Sequence, residues 1–217
     1  MILKKLFGRG GASPVPPAAE PPRPPEPERG PMLISGFDTA DIEPLAAAFE
    51  KRLKAELPPQ YRRFLLKYNG GETPNTDFHT GEVSSDLRAL YGLGRADPHY
   101  HFDKLGRSLH SCLKQGMLPI GENAWGDTIA LRLFGEGTGG VYFLYHDRAP
   151  RDFIFLTEDF AGFTALCSSK PLGHIRSVEE RAEGLRARGR TPTPELAAMW
   201  EKEIAHMEAL RQEPLEF

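Results

Sequence analysis

His99 and His101 flank Tyr100, with Asp97, Asp103 and His110 close by. His-x-His puts two imidazoles on one side of an extended segment, a pattern able to ligate a transition metal. No recognisable spacing fixes a third ligand, and Pro98 and Tyr100 point to a loop, so a polar loop is the preferred reading. The run Gly135-Glu136-Gly137-Thr138-Gly139-Gly140 has the glycine content of a phosphate cradle. It lacks the terminal Gly-Lys-Ser/Thr and leads toward a strand rather than a helix N-terminus, so it predicts a hairpin turn. Glu122, Asp127, Asp147, Glu158 and Asp159 could in principle pair as acid and base. Surface solvation is the preferred reading of them, and no nucleophile elbow or His-Glu-x-x-His occurs. Trp125 stands apart, because it sits between Glu122-Asn123-Ala124 and Gly126-Asp127, a polar loop in which a core indole is out of place. An exposed Trp is typical of a binding hot spot; the competing reading folds it back over a sheet edge.

The elements that would position these residues follow from periodicity. Ile42, Leu45, Phe49 and Leu53 recur at helical spacing, with Asp38, Thr39 and Asp41 as capping candidates. Pro58 and Pro59 end that helix and begin a second, striped by Tyr61, Phe64, Leu65 and Tyr68 and closed at Asn69-Gly70-Gly71. From Glu72 to Pro98 the pattern weakens into turns, with one short strand or helix near Leu87–Leu90. Asp103 could cap a third helix facing Leu105, Leu109, Cys112 and Leu113 inward, up to Gly116. The period then becomes two: strands are expected over 128–133, 141–146 and 153–156, joined as antiparallel hairpins. Phe160, Phe163 and Leu166 mark a short helix from about Asp159. Beyond residue 170, Ile175, Val178, Ala182 and Leu185 have helical spacing. Thr193 and Pro194 then open a last helix with Leu196, Trp200, Ile204 and Met207 on one face, expected to dock on the main body.

The fold class is therefore α+β, an antiparallel sheet packed against several short helices, with a helical C-terminal extension. Three regions are expected: a Pro-rich arm over 1–31, a domain over 32–170, and the extension over 171–217. The arm holds nine of the 20 prolines and should be extended, either as a tether or as a ligand for an aromatic groove.

The chain has 217 residues and a net charge of −3, from 27 Lys and Arg against 30 Asp and Glu. No segment has the basic excess of a phosphate-binding surface, which makes nucleic acid a poor partner. The N-terminus has no signal-peptide-like apolar run, and no stretch approaches the ~18 apolar residues that span a bilayer. Cys112 and Cys167 have neither zinc-type nor Cys-x-x-Cys spacing and are expected as reduced core residues in helical patterns. A cytoplasmic protein follows from this reading.

Four segments in order resemble the SUKH superfamily, the Smi/Knr-like proteins. Leu57-Pro58-Pro59-Gln60-Tyr61 through Tyr68-Asn69-Gly70-Gly71 is similar to its opening signature. Leu118-Pro119-Ile120-Gly121-Glu122 leading to Gly126-Asp127 is similar to its second. Gly140-Val141-Tyr142-Phe143 with His146-Asp147 resembles the third, and Phe160-Ala161-Gly162-Phe163 the closing helix. The resemblance covers roughly residues 40–168. Trp125 departs from it, standing where a second glycine is common, and both extensions lie outside it. The resemblance implies an α+β domain without catalytic residues or cofactors. Bacterial members are immunity proteins that bind and neutralise toxins, many of them nucleases or deaminases; eukaryotic relatives are interaction proteins of cell-wall signalling.

On these grounds the expected partner is a cognate protein toxin, with Glu122, Trp125, Asp127 and Asp147 as the partner-binding residues. Two other readings stay open: a scaffold acting through the Pro-rich arm and terminal helix, and a metal enzyme built on His99, His101 and His110.

Overall fold

Phe49, Phe64, Phe160 and Phe163 set the hydrophobic centre, and the helices that carry them form as the sequence pattern predicts. A computed structural model describes residues 29–147 and 152–216. The Pro-rich arm up to residue 28 lies outside the described residues.

Helix α1 (Ile42–Leu53) buries Ile42, Ala46, Phe49 and Leu53 on one face. Its expected caps work differently: Asp41 is left-handed with no side-chain cap bond, while the Asp38 carboxylate accepts from the Ala40 N–H at 2.8 Å. Helix α2 (Pro59–Tyr68) has Pro59 in its first turn, where a missing N–H costs nothing. It is closed by Asn69, not glycine, at φ 53. Asn69 is buried and fully used: its amide donates to the carbonyls of Asp38 (2.7 Å) and Leu93 (2.9 Å), and its oxygen accepts from the Leu93 N–H. The same crossing explains Gly92, where a Cβ would lie 2.0 Å from the Asn69 carbonyl oxygen.

The strands are β1 (Gly30–Pro31), β2 (Leu33–Gly36), β3 (Gly71–His79), β4 (Ser84–Leu90), β5 (Met117–Glu122), β6 (Thr128–Arg132), β7 (Val141–Leu144), β8 (Ile154–Thr157), β9 (Cys167–Ser169) and β10 (Glu213–Pro214). All pair antiparallel in the order β1-β9-β3-β4-β5-β6-β7-β8. One edge of β3 is shared: β2 pairs with its start (Ser35 with Glu72) and β9 with its end (Thr76 with Ser169). The break falls where Pro74 has no N–H to donate and Asn75 turns left-handed at φ 57.

The β3–β4 hairpin replaces the turns expected from Glu72 onward, the short element expected near Leu87–Leu90 is the end of β4, and turns follow it up to Asp97. Inward positions of the hairpin include Thr73 and Thr76, which disguise the alternation; their hydroxyls are satisfied by the Leu87 carbonyl (2.8 Å) and the Ser169 hydroxyl (2.6 Å). The strands expected near 128–133, 141–146 and 153–156 form as β6, β7 and β8.

Helices α1, α2 and α4 (Phe160–Leu166, following α3 at Gly106–Leu113) share one buried core with a face of the sheet. Asp159 caps α4, its carboxylate accepting from the Gly162 N–H at 2.7 Å. Phe160 sits 4.9 Å from Phe64 and 5.1 Å from Tyr61, centroid to centroid, and Phe163 meets Phe78 edge-on at 5.4 Å. On the other face Cys112 of α3 joins Met117, Ala130 and Leu144 in a small second cluster. Cys167 opens β9 rather than continuing a helix; both cysteines are buried and neither forms a disulfide among the described residues, and burial pushes the Cys167 thiol up to about 12.

Helix α5 (Val178–Arg186) begins with a complete capping box between Ser177 and Glu180. Helix α6 (Pro194–Ala209) starts at the expected Thr193 cap. Its stripe of Leu196, Trp200, Ile204 and Met207 is only half-buried. His206 in its last turn lies 2.9 Å from Glu72, and the segment after the helix is bound more firmly: β10 pairs with β2, the Leu215 N–H donates to Met32 O, and the Glu216 N–H donates to the Tyr68 hydroxyl. Among the described residues no helix is long and apolar enough to cross a membrane.

Two stability changes follow. Phe160→Ala should cost about 3–5 kcal/mol in a urea titration, because it opens a cavity among aromatic rings. Ending the chain at residue 209 should lower stability by about 2–4 kcal/mol through lost hydrogen bonds and an exposed β2 edge. An unchanged midpoint for the shortened chain would mean the strap carries no stability.

Candidate functional site

The β5–β6 connection is five residues long and is organised by two side chains. The Asn123 oxygen accepts the backbone N–H groups of Trp125 (3.0 Å) and Asp127 (2.7 Å). The Asn123 amide donates to Asp127 Oδ2 (2.8 Å) and to the Ser85 hydroxyl (3.0 Å). Asp127 Oδ1 accepts the His146 N–H at 3.0 Å, and the His146 ring Nδ1 lies 2.8 Å away. The loop is thus tied to β4 on one side and to the end of β7 on the other. The Asp86 carboxylate adds a further tie by accepting the Ala124 N–H at 2.9 Å.

This framework leaves the Trp125 side chain 77% exposed, the most exposed large hydrophobic residue described. Beside it opens a cleft of about 420 Å³, lined by Asp77 and His79 of β3, Ser84, Ser85 and Asp86 of β4, Asn123, Trp125 and Asp127 of the loop, and Phe143 and Tyr145. Arg29 donates to Asp77 at its edge.

The four expected contact residues are placed differently. Trp125 projects from the loop, and Asp147 is exposed next to His146. Asp127 is only 7% exposed, and both its oxygens are engaged within the loop framework. Burial pushes the Asp127 carboxyl up, but the His146 N–H and ring and the Asn123 amide outweigh it and hold the group below the usual carboxylate range. Glu122 is half-buried and turned toward Tyr91, whose hydroxyl donates to it at 2.8 Å. Burial and this neighbouring carboxylate push the Tyr91 hydroxyl up, so it stays protonated. The structure brings Trp125, Asp127 and Asp147 around one loop and sets Glu122 at the end of β5. Reading the sequence missed Asp77, Asp86 and Tyr145; the buried alternation at Thr76, Phe78 and Leu87 was the available signal for the hairpin that delivers the first two.

Asp127, His146 and Asp147 each offer a donor atom within 4.8 Å of the others, the one such group among the described residues. The chemistry of this set fits a metal poorly, because Asp127 already spends both oxygens on hydrogen bonds. The His99 and His101 region forms two short 3-10 turns. Asp97 accepts the His99 N–H (2.7 Å), the His101 ring accepts the Asp103 N–H (3.0 Å), and Asp103 pairs with Arg52 at 2.9 Å. These polar groups close turns rather than converge on a ligand. The glycine run 135–140 is a turn, with the Gly139 N–H donating to Arg132 O, at the end of the β6–β7 hairpin away from the cleft.

The order of elements, the Pro59 helix start, the Asn123–Asp127 loop and the closing Phe160–Phe163 helix are now on one fold. The model of the SMI1/KNR4 family (SUKH-1) matches residues 38–166. The chain belongs to that family. A comparison with curated proteins finds no match. In this SMI1/KNR4 domain the family match contains the whole Trp125 cleft, while β1, β2 and the segment from β9 onward lie outside it.

The buried carboxylate gives a pH prediction. Its folded pKa lies below the unfolded value of about 3.9, so its stabilisation is full above that value and is lost as pH falls through the folded pKa. Asp127→Asn should cost about 1.5–3 kcal/mol at pH 7. The gap to the unsubstituted protein should shrink steadily in urea titrations taken from pH 5 to pH 2. A gap that is constant with pH would show that the carboxylate charge does not matter.

Proposed function

We propose that this SMI1/KNR4 protein is a non-enzymatic immunity protein, acting in the cytoplasm by binding and neutralising a cognate toxin through protein–protein contact. The observation that carries the reading is Trp125, 77% exposed on a loop fixed by hydrogen bonds at the mouth of a cleft. An indole held out to solvent by a rigid frame loses little entropy on association and offers a large apolar contact. The carboxylates around it suit a basic surface, because opposite fields speed encounter and set orientation. Family membership supports an interaction role, and the polar clusters outside the cleft serve turns and caps. Asp147 lies at the rim of the surface; Asp127 contributes by holding the loop, and Glu122 by bordering it.

The product of the adjacent gene is the partner to test. Binding with a dissociation constant near nanomolar, about −12 kcal/mol, together with rescue from toxicity on co-expression, is the expected result. Trp125→Ala should weaken that binding by about 30-fold or more, a hot-spot loss of roughly 2 kcal/mol, with the unfolding midpoint unchanged. Absence of both binding and rescue would overturn the reading. Removing residues 171–217 does not discriminate it from a scaffold role, because Gln212, Leu215 and Glu216 are bonded into the main body.

A further inference from the structure

The proposed partner surface has a more specific chemistry than general acidity. Resting on the reading that this face receives a protein, we propose that the cleft takes an arginine side chain of the partner, its guanidinium lying against Trp125 and paired with Asp86.

Three carboxylates line the cleft, and they are not equivalent. Asp127 is occupied by His146 and Asn123. Asp77 is met by Arg29, which also reaches the Ser168 hydroxyl at 3.4 Å. Asp86 accepts only the Ala124 N–H, through Oδ2, and pairs with no cation among the described residues. The cleft therefore contains one carboxylate that no side chain of the described residues engages, next to the exposed indole, with Phe143 and Tyr145 also lining it. Arg29 on Asp77 is the chain's own example of a guanidinium accepted by this wall. Arginine fits the remaining position better than lysine. Its planar, weakly hydrated head stacks on an aromatic face while pairing with a carboxylate, whereas an ammonium is a compact, strongly hydrated point charge. At about 420 Å³ and open to solvent, the cleft holds one long side chain without closing over it.

The test uses the full-length chain with Trp200→Phe, which leaves Trp125 as the sole tryptophan and its fluorescence as the readout. The probes are acetyl-Gly-Arg-Gly-amide and the same tripeptide with lysine or citrulline in place of arginine. The expected result is a saturable change with arginine, at least tenfold weaker affinity with lysine, and no response to citrulline. Asp86→Asn keeps an oxygen for the Ala124 N–H, so it should fold normally while weakening arginine binding tenfold or more. An equal response to citrulline, or arginine binding unaffected by Asp86→Asn, would overturn the proposal. The two readings fail separately. If Trp125→Ala abolishes toxin binding while Asp86→Asn does not and the arginine peptide is inert, the arginine proposal falls and the immunity reading stands. If the peptide binds but Trp125→Ala leaves toxin binding intact, the site stands and its assignment to the toxin falls.

Discussion

The Asp127 carboxylate is the interaction on which the candidate surface depends. It joins three separate pieces of chain: the Asn123 amide within its own loop, the start of the chain leaving β7 at His146, and, through Asn123, Ser85 of β4. Three hydrogen bonds to a buried carboxylate favour the anion, and a loop built around it has few alternative conformations. That rigidity resolves what would otherwise be a contradiction, a large indole left in water. Folded back, Trp125 would gain apolar burial, but its backbone N–H and that of Asp127 are both committed to the Asn123 oxygen. The hydrogen bonds decide the direction of the side chain, and burial of the indole is the quantity given up.

The loop is held where it is by a frame of aromatic packing and backbone contact. Tyr61, Phe64, Phe160 and Phe163 fasten two helices and the sheet in one cluster, while Asn69 pins the end of α2 against the chain at Leu93. Gly92 passes so close to the Asn69 carbonyl that any side chain there would force the crossing apart. Together these fix the relation of β3–β4 to β5–β6, and so of Asp77 and Asp86 to Trp125.

Much of this frame was legible in the sequence, and the reasons are local. Helices α1, α2, α4 and α6 advertise themselves through apolar residues at three- and four-residue spacing, and Pro59, Asp159 and Thr193 mark their starts. Strands β6, β7 and β8 alternate or run apolar between turn residues. The β3–β4 hairpin was hidden because its buried face contains threonines, and because Pro74 and Asn75 read as a turn when they form a bulge within a strand. Asp77 and Asp86 were invisible as cleft residues for the same reason. The polar neighbours of Trp125 left two readings open, an exposed indole and one folded back over a sheet edge, and the structure has it exposed. The role of Asp127 was not, since nothing local distinguishes a surface acid from one whose partners are a hairpin and a strand away.

The extension is outside the family match yet completes the sheet. With β9 taking one half of the β3 edge and β2 the other, the outer side of β2 would present unpaired backbone groups, and β10 pairs with it. The opposite edge is handled differently. Strand β8 is only four residues long and leaves Phe155 48% exposed, packed edge-on against Tyr142 at 5.5 Å. Short edges are tolerated because they template little further pairing, whereas an open edge beside the helix α2 terminus would also strip Tyr68 of its partners in the Glu216 backbone. This asymmetry explains why α6 can remain half-buried along its stripe while the residues after it are bonded in detail. The helix spans the distance, and the strand beyond it makes the attachment.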